Sequence, residues 1–246
     1  MGEASTNTTN TRTLWYIHNR KSVIVSQVVF TCIAAIAALY IFINYGKGIS
    51  SIKRWQWVVV AMFPIVAALY YGLPFKGLGH YNLRRSGWLK PFLIGFVWAG
   101  SVTVYPLIFC QVQTGLPYTL TWIGVLLFVK NLMFASVLVI MFDIKDYATD
   151  YNKKLKTFVV RGGLRKTLFY IIIPLTVLGF ISFLVFAFLD HFPATRVLLN
   201  CIPFIMLLMV AYSMHRRKSI MYYLVVIDGL LLVKAFCGIL AMLLIN

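Results

Sequence analysis

Residues 167–189 read TLFYIIIPLTVLGFISFLVFAFL, a run without one charged side chain. At about 1.5 Å per residue, a helix of this length spans about 35 Å and matches the roughly 30 Å hydrocarbon layer of a bilayer. Working outward from it, apolar runs of the same kind occupy 22–43, 55–72, 91–110, 120–142, 197–214 and 221–245, of which 55–72 and 197–214 are the shortest. The whole chain shares this character. Of its 246 residues 61% are hydrophobic and 12% charged, about half the roughly 25% charged share of a soluble domain. So little polar surface cannot clothe a water-soluble fold, and the apolar side chains must face lipid. The expected fold class is all-α: a polytopic transmembrane helical bundle of about seven spans at 22–246, preceded by a short polar cytoplasmic tail at 1–21. Pro64, Pro106, Pro174 and Pro203 fall inside spans, where neighbouring helices satisfy the carbonyls a proline frees.

Seven spans place the termini on opposite faces, and the basic residues choose between the two arrangements. One side collects the N-terminal tail and the 73–90, 143–166 and 215–220 loops, with 17 Lys and Arg; the other side holds 4. Cytoplasmic loops carry the excess of basic residues, so the N-terminus is expected inside and the C-terminus outside. The expected location is a bacterial inner (cytoplasmic) membrane. The net charge of +17 is then the charge of loops that orient the protein and meet anionic headgroups, and nucleic acid is not an expected partner. Cys32, Cys110, Cys201 and Cys237 are dispersed through apolar runs with no CxxC pair, which excludes a zinc site or disulfide framework of the usual spacing.

Acidic residues are scarce: Glu3, Asp143, Asp146, Asp150, Asp190 and Asp228 are all there are. Three of them fall within eight positions, at the predicted cytoplasmic end of the fourth span. If 142–156 continues as one helix, spacings of three and seven set Asp143, Asp146 and Asp150 within an arc of about 60°. Like charges on one face repel, so a cation should compensate them. The candidates are the lysines that follow or Mg2+, which takes carboxylate oxygens, keeps several waters and bridges to phosphate. Lys153, Lys154, Lys156 and Arg161 stand next in the sequence and are suited to holding phosphate oxygens. A carboxylate face beside a basic loop at the membrane boundary suits a lipid diphosphate. A solvated loop of balanced charges is the competing account.

The stretch Asp143-Ile144-Lys145-Asp146, Asp150 and Lys156-Thr157 resembles the second aspartate motif of the UbiA superfamily of intramembrane prenyltransferases. Leu155 stands where that family customarily has glycine, and Phe158 follows the Lys-Thr pair. Tyr81-Asn82-Leu83-Arg84-Arg85, followed by Leu89-Lys90-Pro91, resembles the family's Tyr-x-x-x-Lys-Arg loop with one residue fewer. The resemblance covers about residues 75–235. It implies an enzyme using Mg2+ held by Asp143, Asp146 and Asp150, with Arg84 and Arg85 joining the lysines on a prenyl diphosphate or other isoprenoid lipid. The family's first motif, Asn-Asp-x-x-Asp, has no counterpart, because only Glu3 precedes Asp143 among the acids. Relative to the family's usual nine helices, the first pair is missing. Three functions therefore stand open: a prenyltransferase, a catalytically inactive relative that binds isoprenoid lipid or serves as a subunit, and a small transporter. A partner chain or a second copy is equally open.

Lys130, Lys234 and Asp228 lie within spans, where an uncompensated charge is costly, and the expected arrangement is an interhelical pair of Asp228 with one of the lysines. Asn131 and Asn200 are expected to hydrogen-bond between helices. Trp98, inside the third span, is expected to pack.

Overall fold

The computed structural model describes residues 11–71, 87–116, 121–152, 155–215 and 218–243, and among them there are helices and turns but no strand. Six helices are long and apolar enough to cross a membrane, and a shorter apolar helix covers 54–70. In chain order we label α1 Thr11–His18, α2 Arg20–Ser50, α3 Arg54–Tyr71, α4 Lys90–Thr114, α5 Trp122–Lys145, α6 Tyr147–Asn152, α7 Phe158–Leu189, α8 Ala194–Ser213 and α9 Tyr223–Leu243. Within the described residues, the apolar runs read from the sequence fall on these helices apart from a residue or two at their ends. The tail expected at 1–21 is helical from Thr11 onward, broken only at Asn19.

The described residues form two compact units, 1–52 with 112–115, and 53–111 with 116–246. The first is dominated by α2. Its apolar side chains point outward all round, with Phe30, Ile36 and Ile43 among the most exposed, as befits a helix whose solvent is hydrocarbon. The helix bends at Tyr45 (φ −121°, ψ 20°).

The second unit is built round α5. Phe134, Val137, Ile140 and Met141 of that helix are buried together with Ile172 and Phe183 of α7, Leu207 of α8 and Leu230 of α9. Phe204 closes the layer, with its ring 5.7 Å from Phe134 and 6.1 Å from Phe183. On the other flank, Phe63 of α3 meets Phe96 at 5.0 Å and Tyr105 at 5.6 Å, both on α4. The Tyr105 hydroxyl donates to the Val60 carbonyl (3.0 Å). Gln56 and Gln111 exchange amide hydrogen bonds of 2.7 and 3.3 Å, a fully satisfied polar pair of the kind that joins helices in lipid.

Three helices contain a widened π-turn: Gly100–Val104 in α4, Leu168–Ile172 in α7 and Tyr223–Ile227 in α9. The first two have a simple cause. Pro106 and Pro174 have no N–H to offer the carbonyls of Val102 and Tyr170, four residues earlier, and each ring crowds that carbonyl. The preceding turn opens to make room, as π-turns do inside otherwise regular helices.

Candidate functional site

The site grows from the end of α5. Asp146 terminates the helix (φ −88°, ψ 7°), its amide still donating to the Phe142 carbonyl at 3.2 Å. The chain then re-forms a short turn, α6, and the Leu155 amide closes it on the Asp150 carbonyl (2.9 Å). Thr157 begins α7 by accepting the Val160 amide on its hydroxyl (3.4 Å), an N-cap of ordinary type. One helix through 142–156 is therefore not what forms. Three carboxylates in the last turn of a helix meet the negative end of its dipole, and the break at Asp146 removes two of them from that helix.

The break sorts the aspartates. Asp143 is 1% exposed as a side chain and Asp150 is buried, whereas the Asp146 side chain is 49% exposed with Lys145 Nζ 3.7 Å away. Asp143 receives a charged hydrogen bond from Lys90 Nζ at 2.5 Å. Its second oxygen, Oδ2, is buried and has no hydrogen-bond partner among the described residues. Asp146 and Asp150 lie within electrostatic range of Asp143, and Asp150 within range of Lys90.

Lys90 arrives with the start of α4, where Pro91 takes a first-turn position that needs no amide. Just before it, Gly87 lies so close to the chain at 156–157 that a Cβ there would stand 2.6 Å from the Lys156 carbonyl carbon and the Thr157 nitrogen. Glycine is required by that approach. Phe92 meets Phe158 edge-on at 6.1 Å on the same side. The segment entering α4 and the segment entering α7 are thus clamped together around Lys90 and Asp143.

The predicted basic residues fare unequally. Lys156 and Arg161 are exposed and make no ion pair among the described residues. Arg84, Arg85, Lys153 and Lys154 lie outside the described residues. No group of three or more His, Cys, Asp or Glu among the described residues is placed to hold a metal; Asp143 and Asp150 are buried and Asp146 is exposed. By sequence Lys90 belongs to the basic 73–90 loop and does not stand out as a site residue. Its signal was its position: a lysine at the very edge of an apolar run, on the same predicted side as the aspartates.

Deeper in the second unit, Asp228 is exposed and pairs with neither intramembrane lysine. Instead Lys234 Nζ donates to Asn131 Oδ1 (2.8 Å), and Asn131 Nδ2 donates to Thr103 Oγ1 (2.8 Å). Asn131 thus bridges helices as expected. Among the described residues Asn200 bonds to the Arg196 carbonyl of its own helix (2.9 Å) and not to another helix, and Trp98 is exposed.

Neither protein-family models, nor curated proteins, nor solved structures give any match to this chain.

Proposed function

We propose that this protein is a UbiA-like membrane protein crossing the bilayer seven times, N-terminus inside and C-terminus outside, that binds a prenyl diphosphate where α4 begins and α5 and α6 end. The observation that carries the reading is the meeting of Lys90 with Asp143. Each belongs to one of the two stretches that resemble the family, and Gly87 fits against Lys156 and Thr157 in the same corner. The basic loops on this side supply the orientation, and the 54–70 helix supplies the seventh crossing.

The proposed reaction is transfer of the prenyl group. The C1–O bond of the prenyl diphosphate breaks, pyrophosphate departs with the electron pair, and an aromatic or other acceptor forms the new bond to C1 and loses a proton. Lys90 sits where a cation can offset charge developing on the leaving group, with Arg84, Arg85, Lys153 and Lys154 as neighbours in sequence. A Mg2+ ion suits Asp143, whose Oδ2 is buried and unpartnered among the described residues, together with Asp150, since this ion is commonly bound through one or two carboxylates plus substrate phosphates. When bound, it would neutralise diphosphate charge. Asp146, facing out, does not suit it.

A second reading is lipid binding without transfer. The chain has no second acidic motif, and only two of the three aspartates are buried. The test is purified protein in nanodiscs with Mg2+, farnesyl or geranylgeranyl diphosphate and an aromatic acceptor, measuring pyrophosphate. Release that Asp143→Asn abolishes supports the enzyme. Saturable diphosphate binding without release supports the second reading, and absence of both overturns the assignment.

A further inference from the structure

Helix α7 is longer than a bilayer requires. It runs from Phe158 to Leu189, 32 residues, whereas about 20 cross the hydrocarbon. Asp190 ends it with an exposed side chain, which sets that end in the polar layer. Roughly 20 residues back from Asp190, at about 1.5 Å per residue, the opposite hydrocarbon boundary falls at Tyr170. Tyr170 is 78% exposed and Phe169 47%, so aromatic rings face outward at the depth where such rings gather. The stretch from Phe158 to Leu168 is surplus to the crossing.

That surplus is basic. Arg161, Arg165 and Lys166 are exposed, and no acidic residue pairs with any of them among the described residues. Lys166 precedes Tyr170 by four residues, about 6 Å along the helix. The headgroup layer is about 5–8 Å deep on each side of the hydrocarbon, so Lys166 and Arg165 stand at phosphate depth. Before them the chain turns at Gly163 (φ 75°, ψ 166°). Val159 is 2% exposed, in one core with Ile144 and Leu168, and Phe158 meets Phe92 edge-on. The turn before Gly163 is thus held on the bundle and does not run out into water, which keeps Arg161 at the bundle surface as well.

We infer that residues 161–166 form an interaction surface for the headgroups of anionic phospholipids. The partner is the headgroup layer: each basic side chain meets a phosphate of its own, and no convergence on one ligand is required. Charge complementarity selects it, since unpaired cations at phosphate depth, with exposed Phe169 and Tyr170 at acyl depth below them, suit a phosphate that carries a hydrocarbon tail. Basic loops orient a membrane protein from outside the hydrocarbon, whereas these cations belong to a spanning helix that overshoots it. The surface is separate from the Lys90–Asp143 contact and stands whether or not a diphosphate binds there.

The test is the full chain in detergent, titrated with phosphatidylglycerol or phosphatidylcholine and read by native mass spectrometry as the affinity of the first lipid bound. The expected result is preference for phosphatidylglycerol, weakened about tenfold by Arg165→Gln with Lys166→Gln, as two cations near an anionic headgroup imply. The double change Lys53→Gln with Arg54→Gln, which removes an equal exposed charge at the start of α3, should leave it unaltered. Equal affinity for the two lipids, or equal weakening by the two double variants, overturns the surface. Should the first double variant not fold, Arg161→Gln replaces it: weakening by that change supports the surface, and unaltered preference overturns it.

Discussion

Lys90 and Asp143 are 53 residues apart in sequence, and their charged atoms are 2.5 Å apart at one end of the bundle. The carboxylate is buried and the ammonium is partly open, so the contact is lopsided. Asp143 depends on Lys90 for compensation, while Lys90 retains access to its surroundings. Lys90→Met should therefore destabilise the protein by about 3 kcal/mol, because it leaves a buried carboxylate alone, and Lys90→Met combined with Asp143→Leu should recover most of that loss. Thermal unfolding in detergent of both single variants and the double variant measures the coupling. Additive effects would show that the two side chains do not support one another.

Asp146 should behave unlike Asp143. Its exposed side chain has a weak partner, so Asp146→Asn should change stability by less than about 0.5 kcal/mol. Asp143→Asn and Asp146→Asn compared in one unfolding assay separate the two, and equal losses would contradict the sorting of these carboxylates.

Gly87→Ala should cost about 1–3 kcal/mol, since a Cβ has nowhere to go against the backbone at 156–157 and one of the two segments must move. The same variant should lower affinity for a prenyl diphosphate, because that corner holds Lys90. Unfolding temperature and diphosphate binding are the two measurements, and an unaltered unfolding temperature would show that the approach is looser than 2.6 Å.

Asn131 holds two partners at once, Thr103 and Lys234. Asn131→Leu should therefore cost more than Thr103→Val: about 2 kcal/mol against about 0.6 kcal/mol, the usual size of one interhelical hydrogen bond in a membrane. Unfolding of the two variants in parallel gives the ratio.

The topology is open to direct labelling. With the four native cysteines changed to Ala, the substitutions Ser51→Cys and Ala194→Cys should react with a membrane-impermeant thiol reagent from outside. Lys156→Cys and Lys218→Cys should react only after permeabilisation. Labelling of Ser51→Cys on the same face as Lys156→Cys would mean that 54–70 does not cross.

The helices were legible because long apolar runs in a chain this poor in charge admit one arrangement, and their placement needs no knowledge of what touches what. Ahead of the 167–189 run the chain is already helical from Phe158, where Thr157 supplies a cap, and Gly163 at φ +75° kinks it before the run begins. Neither reads as apolar periodicity. At the candidate site, the burial of Asp143 and Asp150 and the exposure of Asp146 are not legible in the sequence, because a continuous helix through 142–156 would set all three on one face. The Lys90 contact was invisible for a different reason. It depends on which faces of α4 and α5 meet, and in a helix apolar on every side no amphipathic stripe announces the inward face. The same ambiguity hid the partners of Lys234 and led to the pairing with Asp228 that does not occur.

The widened turn at Gly100–Val104 reaches further than its own five residues. A π-turn accommodates about one residue more than a regular α-turn, so everything before it is rotated by about 100° relative to everything after it. Lys90 precedes that turn, whereas Thr103, which accepts from Asn131, and Gln111, which pairs with Gln56, lie in it or beyond it. Deleting one residue from 100–104 would therefore leave a smoother cylinder whose leading lysine points away from Asp143: the irregularity is the phase setting that lets one helix present different residues correctly at both of its ends.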